Sequence, residues 1–198
     1  MEGQQVERFS GVRIYAAGKI VQNGWRTSLF PVTDWAQYED PSLRIWPDAV
    51  PIRSLPGGVY VGPHFLSDDH GCFHGTNAHG VAAGSAACGG AYPGLPREEV
   101  VKRCLAAIED CTHIFAWIDE PTAYGSLAEI GYARALGKRI YLYLPAGVQA
   151  LDDLWFAMQM AELTSRVADV DAAWNDFTDR LTRSGSDAWY RPTKIRLP

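Results

Sequence analysis

The chain lacks any apolar run near the ~20 residues needed to cross a bilayer as a helix, so a membrane span is not expected. Its opening residues, MEGQQVERFSG, are too polar for a secretory leader. Excess positive charge is missing too. With a formal charge of −5 there is no basic footprint, which excludes duplex nucleic acid as an expected partner. Cysteine is sparse: Cys72, Cys88, Cys104 and Cys111 are too few for a disulfide scaffold and are expected to be reduced thiols in the cytoplasm. No internal repeat and no low-complexity segment occurs. The 198 residues suit one domain with room for a sizeable insertion.

What is present is organised around residues 112–144. His113 to Ile118 is a continuous apolar run, as in a strand buried on both faces. It stops at Asp119-Glu120-Pro121, because proline has no amide donor for a central ladder. Gly125-Ser126-Leu127-Ala128-Glu129 then opens a helix, Gly137 ends it, and Arg139 to Leu144 reads as the next strand. Strand, helix and strand in so short a span make a βαβ unit. A carboxylate in the first turn of that helix would face the carboxyl ends of the strands, where open α/β sheets bind ligands. That carboxylate is Glu129.

Elsewhere, Val12 to Ala16 predicts a first strand, closed by Ala17-Gly18. Residues 19–57 interleave Trp25, Trp35 and Trp46 with five prolines, and Asn23-Gly24 signals a hairpin turn. This stretch reads as an insertion of short strands and turns folded over one sheet edge. Gly58 to Pro63 predicts another core strand. Residues 65–95 hold His70, His74 and His79 among many glycines and read as a lid or binding loop. A helix follows from Pro96, with Glu98 and Glu99 in its first turn and Val100, Cys104, Leu105 and Ile108 on one face. Leu151 to Leu163 reads as a helix, Arg166 to Val170 as a last strand, and Asp171 to Arg183 as an amphipathic helix capped by Asp171. Residues 184–198 lack periodicity and read as an arm.

Two chemistries compete at Glu129. Ser126-x-x-Glu129 matches a capping box, in which the two side chains satisfy exposed helix amides. A carboxylate near a helix N-terminus is also held ionised by the dipole, the state that a nucleophile needs. The order Tyr15-x-Ala17-Gly18, strand 114–119, Gly125-Ser126-x-x-Glu129-x-Gly131-x-Ala133 and Gly137-Lys138-strand resembles the nucleoside 2-deoxyribosyltransferase family, over about residues 12–18 and 96–145. The resemblance implies a flavodoxin-like fold with a mostly parallel sheet and cleavage of an N-glycosidic bond. In that scheme Glu129 attacks the anomeric carbon and carries the sugar to a second base or to water. It also implies a homo-oligomer acting on a small-molecule nucleoside or nucleotide, without a cofactor.

Tyr15 matches the family's tyrosine beside the nucleophile. Asp119 would contact sugar hydroxyls or protonate the departing base, and Gly18, Gly125 and Ser126 would contact substrate. His70 or His74 would donate a proton to the leaving base. The chain departs from the family at Ala123, where transferases acting on free nucleosides usually carry an aspartate. Members that hydrolyse nucleoside 5′-monophosphates have a small residue there and hold the phosphate with hydroxyls and amides, a role open to Ser126. No metal is expected: His70-x-Cys72-x-His74 does not fit common zinc spacings. The alternatives are an NAD hydrolase of the TIR type and a non-catalytic nucleotide sensor.

Overall fold

In a computed structural model of the chain, residues 8–19, 25–30, 49–63 and 97–184 are described. Strands β1 (Arg13–Ala17), β3 (Val59–Gly62), β4 (His113–Trp117), β5 (Arg139–Pro145) and β6 (Leu163–Val167) are parallel, and the short β2 (Val50–Pro51) joins one edge antiparallel. The six strands lie in the order β2-β3-β1-β4-β5-β6. Without β2 this is the 2-1-3-4-5 order of flavodoxin-like doubly wound sheets, whose direction of winding reverses between β1 and β4. Pro51 is tolerated because an edge strand need not donate from every amide. The helices are α1 (Trp25–Leu29), α2 (Arg97–Asp110), α3 (Tyr124–Ala135), α4 (Trp155–Met160) and α5 (Val170–Ser184). Among the described residues no helix is long and apolar enough to cross a membrane.

The period-2 alternation of the strands divides the core into two unlike halves. Tyr15, Ala17, Ile114, Ala116, Ile118, Ile140 and Leu142 pack with Cys104 and Ile108 of α2 and Ile130 and Ala133 of α3. Ile14, Ala16, Phe115, Trp117 and Tyr143 pack on the other face with Trp174, Phe177 and Leu181 of α5. The second half is largely aromatic. Phe115 lies 5.2 Å from Trp174, 5.4 Å from Phe177 and 5.5 Å from Tyr143 between ring centroids, close enough for edge and tilted ring contacts. This two-sided burial is why β4 reads as an unbroken apolar run. Its first residue, His113, is also fully buried, and burial pushes its imidazole down to about 3, so it stays neutral.

The predicted helix at Pro96 appears as α2, and Gly137 terminates α3 as expected. At φ 72° Gly137 lets its own N–H reach Arg134 O and the Lys138 N–H reach Ala133 O, both at 3.0 Å, a Schellman closure. Several features differ from the sequence reading. In the insertion, the described residues include the helix α1 as well as the edge strand β2; Asn23-Gly24, Trp35 and Trp46 lie outside the described residues, as do 65–95 and 185–198.

The run from Leu151 begins inside a 3-10 turn (Gln149–Leu154), continues as α4, and leaves helix at Ala161. Leu163 instead pairs with Tyr141, so β6 starts three residues earlier than predicted. Its alternation of half-buried and exposed residues is that of an edge strand, a weaker signal than a buried run. Asp171 is not the cap of α5: Asp169 Oδ1 accepts from the Ala172 N–H at 2.8 Å, which makes Asp169 the N-cap. Replacing Asp169 with alanine should lower stability by about 1 kcal/mol in urea unfolding, and Asp171→Ala should lower it by less.

Candidate active site

The site forms where β1 and β4 diverge at their carboxyl ends. Tyr15 is fully buried within β1, and the β1–β3 register shifts between Ile14 and Tyr15. Gly18 follows the strand. A Cβ there would lie 2.4 Å from Trp117 O and 2.8 Å from the Trp25 ring, so only glycine lets the end of β1 pass this close to β4. Lys19 then forms an ion pair with Glu120 and donates to Thr122 Oγ1 at 3.3 Å. These contacts tie the turn after β1 to the loop that enters α3.

Helix α3 starts earlier than its sequence suggested. The Leu127 N–H donates to Ala123 O at 3.1 Å, so Ala123 closes the first turn and is the N-cap, without any side-chain bond to the amides. Ser126 is therefore the third helical residue, buried in the first turn, and does not cap. The capping-box reading of Ser126 and Glu129 is overturned. Glu129 falls in the second turn, where the helix dipole has largely faded.

Its partner is across the sheet boundary. Tyr15 Oη donates to Glu129 Oε1 at 2.5 Å, the length of a short hydrogen bond to a carboxylate. Burial raises the Glu129 carboxyl to about 7, and the opposing pull of the Tyr15 bond and the Arg26 charge is smaller. The dipole-held, ionised carboxylate expected from sequence is thus replaced by one that titrates near neutrality. Tyr15 is raised well above its ordinary range, first by burial and then by the Glu129 charge, so it remains a donor. Burial likewise pushes the Cys104 thiol of α2 up to about 12 and keeps it neutral.

Glu129 lines a cavity of about 330 Å³, within the range of small-molecule sites. Gly18, Lys19 and Pro63 border it from the strand ends, Val100, Cys104 and Leu105 from α2, and Gly125 and Ser126 from the start of α3. The structure therefore brings together five of the predicted residues: Tyr15 and Glu129 as a bonded pair, and Gly18, Gly125 and Ser126 in the same lining. Asp119 is exposed and is not part of that lining. His70 and His74 lie outside the described residues. Among the described residues no group of three or more His, Cys, Asp or Glu is placed to hold a metal ion.

Lys19, Cys104 and Arg26 were missed as site residues. Cys104 was visible only as part of an apolar helix face, Lys19 only as the neighbour of Gly18, and nothing in the sequence around Arg26 marks it. Ala123, which stands where the transferases usually place an aspartate, is buried in the cavity wall.

Because the Glu129 pKa is higher in the folded chain than the ordinary 4.5, the folded state holds a proton that the unfolded state has already released between about pH 4.5 and 7. The contribution of this group to stability is therefore greatest below that window and declines as pH rises through it. Relative to Glu129→Gln, the wild type should lose on the order of 1–3 kcal/mol between pH 5 and 8. Denaturant melts of both proteins at a series of pH values measure this, and parallel profiles would refute it.

Comparisons with protein-family models, with curated proteins and with solved structures found no match to this chain.

Proposed function

We propose that the protein cleaves the N-glycosidic bond of a (deoxy)nucleoside or nucleotide, with Glu129 as the nucleophile. The observation that carries this reading is the short Tyr15–Glu129 hydrogen bond in the wall of a cavity at the carboxyl end of the sheet. The phenol holds one carboxyl oxygen and leaves the other to react. The apolar side chains of Val100 and Leu105 suit the flat faces of a base, while Gly125 and Ser126 offer small polar surroundings for the sugar or its substituents. The order and spacing of the motifs, which resemble the 2-deoxyribosyltransferases, support the same reading.

In the first step a Glu129 oxygen bonds to the anomeric carbon. The glycosidic bond breaks, its electron pair leaves with the base nitrogen, and the base takes up a proton. In the second step water or the nitrogen of another base bonds to the anomeric carbon. The ester bond to Glu129 breaks, the acceptor loses a proton, and the carboxylate returns. Both displacements invert the carbon, so configuration is retained overall. The first step needs ionised Glu129, and a carboxyl that titrates at about 7 supplies a mixed population at neutral pH.

Release of free base from deoxynucleosides, their 5′-monophosphates and NAD, with and without an added second base, tests the proposal. Glu129→Gln should lower the rate at least about 10³-fold on the productive substrate. The wild-type rate should climb with pH through an inflection near 7, as the carboxylate forms. Tyr15→Phe removes a bond that favours the carboxylate, so its acid limb should move to higher pH and its rate should fall about 10–100-fold at pH 6. Cleavage of NAD alone would replace the proposal with an NAD hydrolase. Nucleotide binding without release from any substrate would make the chain a sensor.

A further inference from the structure

We infer that Arg26 is a positioning residue for the Glu129 site, clamping the carboxyl end of β1 and supplying the positive charge against which the Glu129 carboxylate forms. The inference rests on the proposed role of Glu129 as a group that reacts in its ionised form. Arg26 lies on α1, but its guanidinium reaches the end of β1. Nε donates to Ala16 O at 3.0 Å, Nη1 to Lys19 O at 3.0 Å and Nη2 to Gly18 O at 2.5 Å. Carbonyls that leave a parallel ladder need new partners, and one planar fork satisfies all three. The Trp25 ring sits 4.3 Å from the guanidinium carbon, which holds the fork in place by a cation–π contact.

The clamped segment is the cavity wall itself. Gly18 and Lys19 both border the cavity that Glu129 lines, so a displaced β1 end would change its shape. The charge acts on the same group. Tyr15 faces Glu129 from β1 and Cys104 from α2; both are raised and neutral. Tyr60 of β3, also raised by burial, feels Glu129 at longer range. Lys19 borders the cavity but is ion-paired with Glu120. Among the described residues, Arg26 is the cation that shifts Glu129 toward its ionised form. A residue in the insertion thereby acts on a helix on the opposite face of the sheet.

The test follows the Glu129 carboxyl carbon by NMR titration in the full-length wild type, Arg26→Gln and Arg26→Lys, with Glu129→Gln assigning the resonance. Arg26→Gln should raise the midpoint by at least about 0.5 pH unit, and the acid limb of base release should move with it. Arg26→Lys keeps the charge but cannot bridge three carbonyls. Its midpoint should stay within about 0.2 unit of wild type while KM rises about 3–10-fold. Arg26→Met, which keeps an unbranched stem against Trp25, replaces Arg26→Gln should that variant not fold. An unmoved midpoint in the neutral variant, or an equal shift in Arg26→Lys, would overturn the inference. If wild type releases no base while the neutral variant still raises the midpoint, the glycosidase reading fails and the coupling of Arg26 to Glu129 stands.

Discussion

Everything at the site depends on holding one half-buried carboxyl group against one buried phenol. Removing a carboxylate from water is costly unless hydrogen bonds and nearby positive charge replace the lost hydration. Here Tyr15 supplies the hydrogen bond and Arg26 the charge, and neither fully offsets burial. The result is a carboxyl that gains and loses its proton near neutrality. The same group on an exposed helix face would simply be an acid. What distinguishes it is that β1 brings Tyr15 against it, while α1 holds the end of β1 from the other face of the sheet.

That arrangement has a geometric basis. A doubly wound sheet reverses its direction of winding between β1 and β4, and the loops leaving those strands diverge and open a crevice. The absence of a Cβ at Gly18 lets the backbone of β1 approach Trp117. The ion pair of Lys19 with Glu120 then joins the loops beyond the two strand ends. The aromatic half of the core, centred on Phe115, Trp174 and Phe177, anchors the opposite face. Small residues such as Ala17 and Ala116 lie on the face toward α2 and α3.

Part of this was legible in the residues alone. Continuous apolar runs marked β1, β3, β4 and β5, since strands buried on both faces carry them. The signals of α2 and of the α3 terminus at Gly137 were local, made by capping and backbone preference. Edges were harder to read. β6 alternates half-buried with exposed residues, and its start at Leu163 is decided by pairing with Tyr141. The start of α3 at Tyr124 depends on how the Glu120–Ala123 loop folds onto its neighbours. Asp119 illustrates the limit in the other direction: its chemistry suited the site, but its exposed position at the end of β4 keeps it out of the cavity wall.

The sequence by itself determined the α/β class of the fold and singled out Glu129 as the carboxylate at the head of its helix. Both follow from short-range pattern: alternating or continuous apolar runs, a glycine stop and a motif at fixed spacing. Tertiary structure alone decided the state of that carboxylate. Whether Glu129 caps its own helix or binds Tyr15 depends on a contact between residues 114 positions apart. Its proton affinity depends on burial, which no local pattern specifies. Arg26 belongs to the same category. It becomes part of the site only because the chain turns back after β1 and α1 carries its guanidinium to the three carbonyls of Ala16, Gly18 and Lys19, a folding-back that composition and spacing do not encode.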